Sequence, residues 1–231
     1  MKKYFLISSL LLCLSNFAQV KGGIVTYGVN VIEDKDSQLD KLMLSMNANY
    51  YSIIKEFEFI LKFNSEKAHF KMTEKMYSDN TAADMGMVKI RFSGNSLIAN
   101  DSIFSEYSSR NLGDFIVKEA LNKNWTLTNE SKLIGVYKCF KATTEDVVVT
   151  KEKTFRHPIT AWYCPEIPFP YGPLSYGGLP GLILELQTKN GVYGVKKIDL
   201  KQTPIEIETL KKYKIIDELE LNELIEKKNS N

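Results

Sequence analysis

The side chains able to do chemistry in this 231-residue chain are few, and they do not cluster in sequence. There are two histidines, His69 in a strand-like stretch and His157 just before Pro158. A structural zinc site draws four ligands, often as close-spaced pairs, and neither Cys139 nor Cys164 has a neighbour of that kind. No metal and no cofactor are therefore expected. A serine nucleophile of the elbow type would need Gly-x-Ser-x-Gly, which is absent, and a Cys/His pair would need Cys139 or Cys164 to stay reduced. Glu166 and Glu185 flank an unusual loop and could in principle act as a glycosidase-like acid and base. With 28 acidic residues in the chain, two beside one loop is what chance provides. The sequence assigns no catalytic residue and leans toward a protein that binds.

That loop precedes and includes YGPLSYGGLPGLILEL, residues 171–186. Five of the seven prolines, Pro165, Pro168, Pro170, Pro173 and Pro180, fall here beside Gly172, Gly177, Gly178 and Gly181. Proline fixes its own φ and pushes the preceding residue toward extended geometry, so the segment should be stiff and non-helical. Leu179-Pro180-Gly181-Leu182 places proline and glycine where a type II turn wants them, with Gly181 at positive φ after Gly178. A strand follows, with Leu182, Leu184 and Leu186 on one face. The segment can be a rigid corner entering the core. It can also be a rim, on which Trp162, Tyr163, Phe169, Tyr171 and Tyr176 form a preordered aromatic contact surface. A phosphate loop is excluded, because no Gly-Lys-Ser/Thr follows and the next element is a strand.

The elements that must hold this loop are mostly strands. GIVTYGVNVIE alternates as a first strand. Over residues 37–50 the period changes: Leu39, Leu42, Met43 and Met46 fall at helical spacing behind a Ser37/Asp40 capping box. Phe57, Phe59, Leu61 and Phe63 alternate on a hairpin with one apolar face. Residues 74–87 lack a period and read as an irregular, mobile connection. VKIRF, SLIAN, IFSEYSS, DFIVKEA, NWTLT and YKCFKATT then read as short strands, followed by TFRHPITAWYC, GLILELQT and a hairpin at Asn190-Gly191. A short helix over IIDELELNELIEKK closes the chain. The expected fold is α+β and mostly antiparallel: a large curved sheet or open half-barrel with one or two helices packed on it, the 37–50 helix covering part of its apolar face.

Lys2 and Lys3, an apolar stretch over residues 4–14 and a small, polar exit read as a secretory signal peptide cleaved after Ala18. The apolar stretch is shorter than the roughly 20 residues a membrane-crossing helix needs, so no transmembrane segment is expected in the mature chain. Cys13 follows Leu12, which does not suit lipidation. Residues 19–231 would then be one β-rich domain, periplasmic or secreted. Losing Lys2 and Lys3 takes the basic count from 30 to 28 against 28 acids, and a neutral chain without a basic block is a poor nucleic-acid or anionic-membrane binder. Export leaves Cys139 and Cys164 in an oxidising space, which suggests a disulfide contributing about 3 kcal/mol. Two buried thiols, or one buried and one exposed, are the alternatives.

KLIGVYKCFKATT, ITAWYCPEIPFPYGP and YGGLPGLILEL, within residues 132–186, resemble the signature of the GLPGLI family, exported proteins of Bacteroidetes-type bacteria. The resemblance implies export, and it carries over no catalytic residue, because that family's function is unknown. The expected function is a noncatalytic envelope module binding an apolar small molecule, a lipid or a partner protein, in a groove lined by Phe57, Phe59, Leu61 or Phe63 with Met43 and Met46. The alternatives are an envelope hydrolase of peptide or glycan with residues 162–181 as one cleft wall, and an accessory subunit of an outer-membrane receptor.

Overall fold

Period-two alternation dominates the chain, and the result is one sheet. The computed structural model describes residues 20–34, 36–149 and 153–229, and the expected signal segment lies outside them. β1 (Gly22–Val31) is followed by α1 (Gln38–Met46), α2 (Tyr50–Ile54) and the hairpin of β2 (Glu58–Asn64) and β3 (Lys67–Met72). α3 (Asn80–Lys89) leads into β4 (Ser96–Ala99), β5 (Ser102–Ser109) and β6 (Gly113–Ala120). A second meander, β7 (Thr126–Ile134), β8 (Tyr137–Val149) and β9 (Thr154–Cys164), ends at the proline-rich segment, which contains one 3-10 turn at Pro173–Ser175. β10 (Leu182–Gln187), β11 (Gly191–Lys201), β12 (Lys214–Asp217) and α4 (Glu218–Asn229) complete the order.

The twelve strands lie in the order β12-β6-β5-β4-β3-β2-β1-β11-β10-β9-β8-β7, an open sheet. Every pairing is antiparallel except β12 on β6, which is parallel. The expected α+β class and large antiparallel sheet are what forms. β1 sits in the middle, and its Tyr27 hydroxyl donates to the Ile183 carbonyl at 2.6 Å, tying the centre of the sheet to the strand after the proline-rich segment.

Phe59, Leu61 and Phe63 on β2 have no exposed surface. Phe59 stacks on Phe70 at 5.4 Å and meets Phe92 and Tyr193 edge-on or tilted, while Phe63 packs on Phe169 at 4.7 Å. Each such buried ring contributes on the order of 2 kcal/mol through lost apolar contact with water. The alternation seen in the sequence thus builds a filled core.

The helices depart from expectation. α1 forms, with the Ser37 side chain accepting from the Asp40 N–H, but it buries only Asp40 and Met43. Leu39, Leu42 and Met46 are exposed, so the expected apolar stripe is not the packed one. The reason is a buried ion pair. Lys89 Nζ donates to both Asp40 carboxylate oxygens, at 2.7 and 2.6 Å, and Asp40 also accepts from the Tyr51 hydroxyl and the Asp34 N–H. α2, with Tyr50, Ile53 and Ile54 buried, does more of the packing.

Residues 80–87, expected as part of an irregular connection, lie in α3. Its cap is Asp79, which accepts from the Ala82 N–H at 2.9 Å. The buried face is made of Ala82, Ala83 and Gly86, and a methyl at Gly86 would sit 2.7 Å from Ile54 and 2.9 Å from Phe57. Small residues give close packing without a hydrophobic period, which hid the helix. VKIRF, expected as a strand, is accordingly the end of α3 and the turn after it. The first residues of the expected C-terminal helix instead form β12.

The corner also differs. Gly178 takes positive φ, at 79°, and Gly181 does not. The Gly181 N–H donates to the Leu179 carbonyl at 2.8 Å, a tighter turn about Pro180 than type II. Glycine is needed at 181 for proximity, because a methyl there would lie 2.2 Å from the Cys164 carbonyl oxygen.

Candidate functional site

Strands distant in the sheet order meet across one cleft, so the sheet curls. Glu119 at the end of β6 lies on the same cleft as Asp146 of β8 and Arg156 of β9. The cleft consists of two cavities of about 260 and 670 Å³, which share Ile103, Glu119, Asp146, Leu174, Ser175 and Tyr176. The last three come from the proline-rich segment.

The floor is strained. Leu174 and Ser175 are consecutive non-glycine residues at positive φ, 53° and 59°, and Arg91, on the wall of the smaller cavity, is a third at 55°. Such conformations cost about 1–3 kcal/mol each and persist only where the surroundings enforce them. Here Pro173 starts the turn, and its carbonyl accepts from the Tyr176 N–H at 3.1 Å. Ser175 Oγ donates to Ser96 Oγ at 2.5 Å in a buried contact that joins the floor to β4. Trp125 Nε1 donates to the Gly177 carbonyl at 2.8 Å, and its ring meets Tyr176 edge-on.

The polar groups are arranged in balanced pairs. Arg91 lies 3.5 Å from Asp146, and Arg156 lies 2.9 Å from Glu145. Burial and the nearby Asp146 push the Tyr176 phenol up to about 12, so it is a protonated donor at neutral pH. Glu119 is exposed at the end of β6, and the desolvation it meets there, with the Glu218 carboxylate, raises it above its ordinary value. Asn122, Asn124, Thr126 and Thr144 line the larger cavity with amides and hydroxyls. The arrangement offers a half-buried aromatic ring, hydrogen-bonding groups of both kinds and little net charge.

Of the aromatics expected on a rim, Tyr163, Phe169 and Tyr171 are buried. Phe169 and Tyr171 pack on Phe63. Trp162 is partly exposed away from the cleft, with Lys132 Nζ 4.4 Å above its ring and Glu185 2.7 Å from the same ammonium. Tyr176 alone of the five enters the cleft. The corner role of the segment and its role as a cleft wall coexist, because alternate residues serve each. Glu166, Glu185 and His157 do not converge: Glu166 borders a separate cavity beside Asn64 and Pro168, and His157 stacks on Phe155. The groove expected along β2 is occupied by its own side chains, since Phe57, Phe59, Leu61 and Phe63 are fully buried. Sequence reading missed Glu119 and Asp146, which carry no local signal, and Leu174 and Ser175, whose only signal was the proline at 173.

A second polar group lies on another part of the sheet. His69 is buried with neither ring nitrogen hydrogen-bonded, and Glu208 approaches its Nδ1 at 3.8 Å while also pairing with Lys62 and Lys71. Burial holds the imidazole below its ordinary value of 6.5, against the pull of Glu208 and Glu106. The unfolded chain therefore takes up the proton first, and stability falls as pH drops below about 6.5, by up to ~1.4 kcal/mol per pH unit for this one group until the folded value is reached. Urea unfolding at successive pH values should show that slope in the native protein and a shallower one in His69→Met.

Among the described residues no group of three or more His, Cys, Asp or Glu could hold a metal ion, and no helix is long and apolar enough to cross a membrane. Residues 145–185, which include Asp146, Arg156 and the proline-rich segment, match the model of a family described as a protein of unknown function (Porph_ging). No curated protein matches the chain. Two structures of PNGF-II, solved in different space groups, are similar to it, with TM-scores of 0.52 and 0.51 at 17% and 16% identity. Each similarity covers 90% of this chain and 33% or 34% of the other, so the chain spans about a third of the length of those proteins. At such identity the likeness is one of fold.

Proposed function

We propose that this protein is an exported, noncatalytic binding module that holds a neutral, hydroxyl-rich ligand, an oligosaccharide, in the cleft floored by residues 174–176. The observation that carries this reading is the pair of left-handed residues, Leu174 and Ser175, fixed beside Tyr176. Backbone strain of this kind concentrates where a loop must be preorganised for a ligand. The chemistry of the walls supports the ligand class. A sugar presents an apolar face for an aromatic ring and a rim of hydroxyls for amides, hydroxyls and carboxylates, and the cleft supplies each. The paired Arg91–Asp146 and Arg156–Glu145 leave little net field to favour a charged ligand. The finer resemblance to the GLPGLI family, and export with it, are part of the same reading.

One observation favours a second reading, a glycan hydrolase: Glu119, an exposed carboxyl raised by local desolvation and Glu218, shares the cleft with Asp146. A general acid with a raised pKa beside a second carboxylate is the minimum such an enzyme needs.

Calorimetric titration of the protein with chitotetraose, cellotetraose and mannotetraose separates the readings. Saturable heat with at least one of them is expected, together with a loss of about tenfold in affinity, ~1.4 kcal/mol, in Tyr176→Ala. No saturable heat with any of the three, or an unchanged affinity in the variant, contradicts the binding reading. Release of new reducing ends from the same sugars replaces it with the hydrolase.

A further inference from the structure

Phe140 of β8 pairs with Tyr163 of β9 in an antiparallel register. One step along that register sets Cys139 opposite Cys164. Directly opposed residues in such a ladder have α-carbons about 4.5 or 5.5 Å apart. Both values fall within the roughly 4.4–6.8 Å that a disulfide spans. The two thiols are free and fully buried, and Cys139 donates to the Tyr137 carbonyl at 3.7 Å. Their surroundings are closely built. Lys132 of β7 pairs with Cys139, Leu182 of β10 pairs with Cys164, and Gly181 lies against the Cys164 carbonyl.

We propose that Cys139 and Cys164 are a folding-time latch: they close to a cross-strand disulfide while the chain is still open to a low-molecular-weight disulfide, and the folded sheet then seals whichever state was reached. The reaction is thiol–disulfide exchange. One cysteine loses its proton to solvent and attacks a sulfur of oxidised glutathione, forming a mixed disulfide and releasing one glutathione thiolate. The second cysteine, deprotonated in turn, attacks the protein sulfur of that mixed disulfide and displaces the other glutathione. The two glutathione thiolates take up protons equal in number to those lost, so the cysteines are oxidised and the glutathione disulfide is reduced.

Burial explains the sealing. It pushes the Cys139 thiol up to about 12 and raises Cys164 as well, so thiolate is scarce at neutral pH, and neither sulfur is open to a bulky disulfide. The bridge would join β8, in the outer meander of the sheet, to the residue from which the proline-rich segment departs. It would thereby restrict the unfolded chain across the β8–β9 hairpin.

The test is to denature the reduced protein and refold it with oxidised glutathione or with dithiothreitol. Intact mass and urea midpoints are then compared, with reduced, already folded protein exposed to oxidised glutathione as a third arm. Oxidative refolding should remove two hydrogens from the mass and raise the urea midpoint by about 1 M over the reduced form. The folded, reduced protein should keep its mass over hours in oxidised glutathione. Cys139→Ser/Cys164→Ser should show one midpoint under both refolding conditions. Absence of the mass loss after oxidative refolding, or a persistent glutathione adduct, overturns the pairing. Oxidation of the folded form as fast as the unfolded form overturns the latch, and the mass data decide both points even if the double variant does not fold.

Discussion

Lys89→Met is expected to lower the free energy of unfolding by about 3–5 kcal/mol, because it leaves the Asp40 carboxylate buried without its cation. Among the described residues these two side chains are among the few buried charges, and each is almost fully enclosed. Burial by itself would raise Asp40. The hydrogen bonds from Lys89, the Asp34 N–H and the Tyr51 hydroxyl overcome that and hold its carboxyl below the usual range. A depressed folded pKa contributes stability that is present above the unfolded carboxylate range and is lost as pH falls through the folded value. The variant should behave in the opposite way: its deficit should shrink toward acid pH, where Asp40 can take a proton and no longer needs a cation. Urea unfolding at neutral and acid pH measures both. The double variant Asp40→Leu/Lys89→Met should cost less than the sum of its single changes, since it removes the charge along with its partner. A neutral-pH loss under 1 kcal/mol would show that water reaches the pair.

Phe59→Ala should cost about 3–5 kcal/mol, the range for removing a ring that cannot be replaced by collapse. Phe59 is enclosed by Phe70, Phe92 and Tyr193, with centroids 5.4, 5.2 and 5.5 Å away. The size of the effect discriminates between two views of the apolar face of β2. A ring lining an open lipid groove is already partly in contact with water, and its removal would cost far less and alter ligand uptake. A ring inside a filled core gives the full penalty. Equilibrium unfolding is the check, and a cost below about 1 kcal/mol would favour the open groove.

These two residues also mark what sequence reading can and cannot reach. The apolar face of β2 was legible because alternation at Phe57, Phe59, Leu61 and Phe63 is local and strong. The sheet class followed from many such stretches. Lys89 was not legible, because its partner is Asp40, forty-nine positions away, and nothing local distinguishes a buried lysine from a solvated one. α3 escaped notice because Ala82, Ala83 and Gly86 pack through smallness. The cleft was half legible: prolines and glycines flagged the segment, yet the choice of Tyr176 over Tyr171 as the side chain entering it depends on the left-handed turn at Leu174 and Ser175. Glu119 and Asp146 could not be paired from sequence, because only the curl of the sheet brings β6 toward β8.

The central claim is that the cleft floored by residues 174–176, and not a groove along β2, is where this protein binds. The most direct measurement is a map of backbone amide NMR shifts during titration with chitotetraose, cellotetraose and mannotetraose in turn. Shifts concentrated at residues 174–176 and around Glu119 and Asp146, saturating with ligand, are the expected result. Shifts centred on Phe59 and Phe63, or none anywhere with all three sugars, would contradict it.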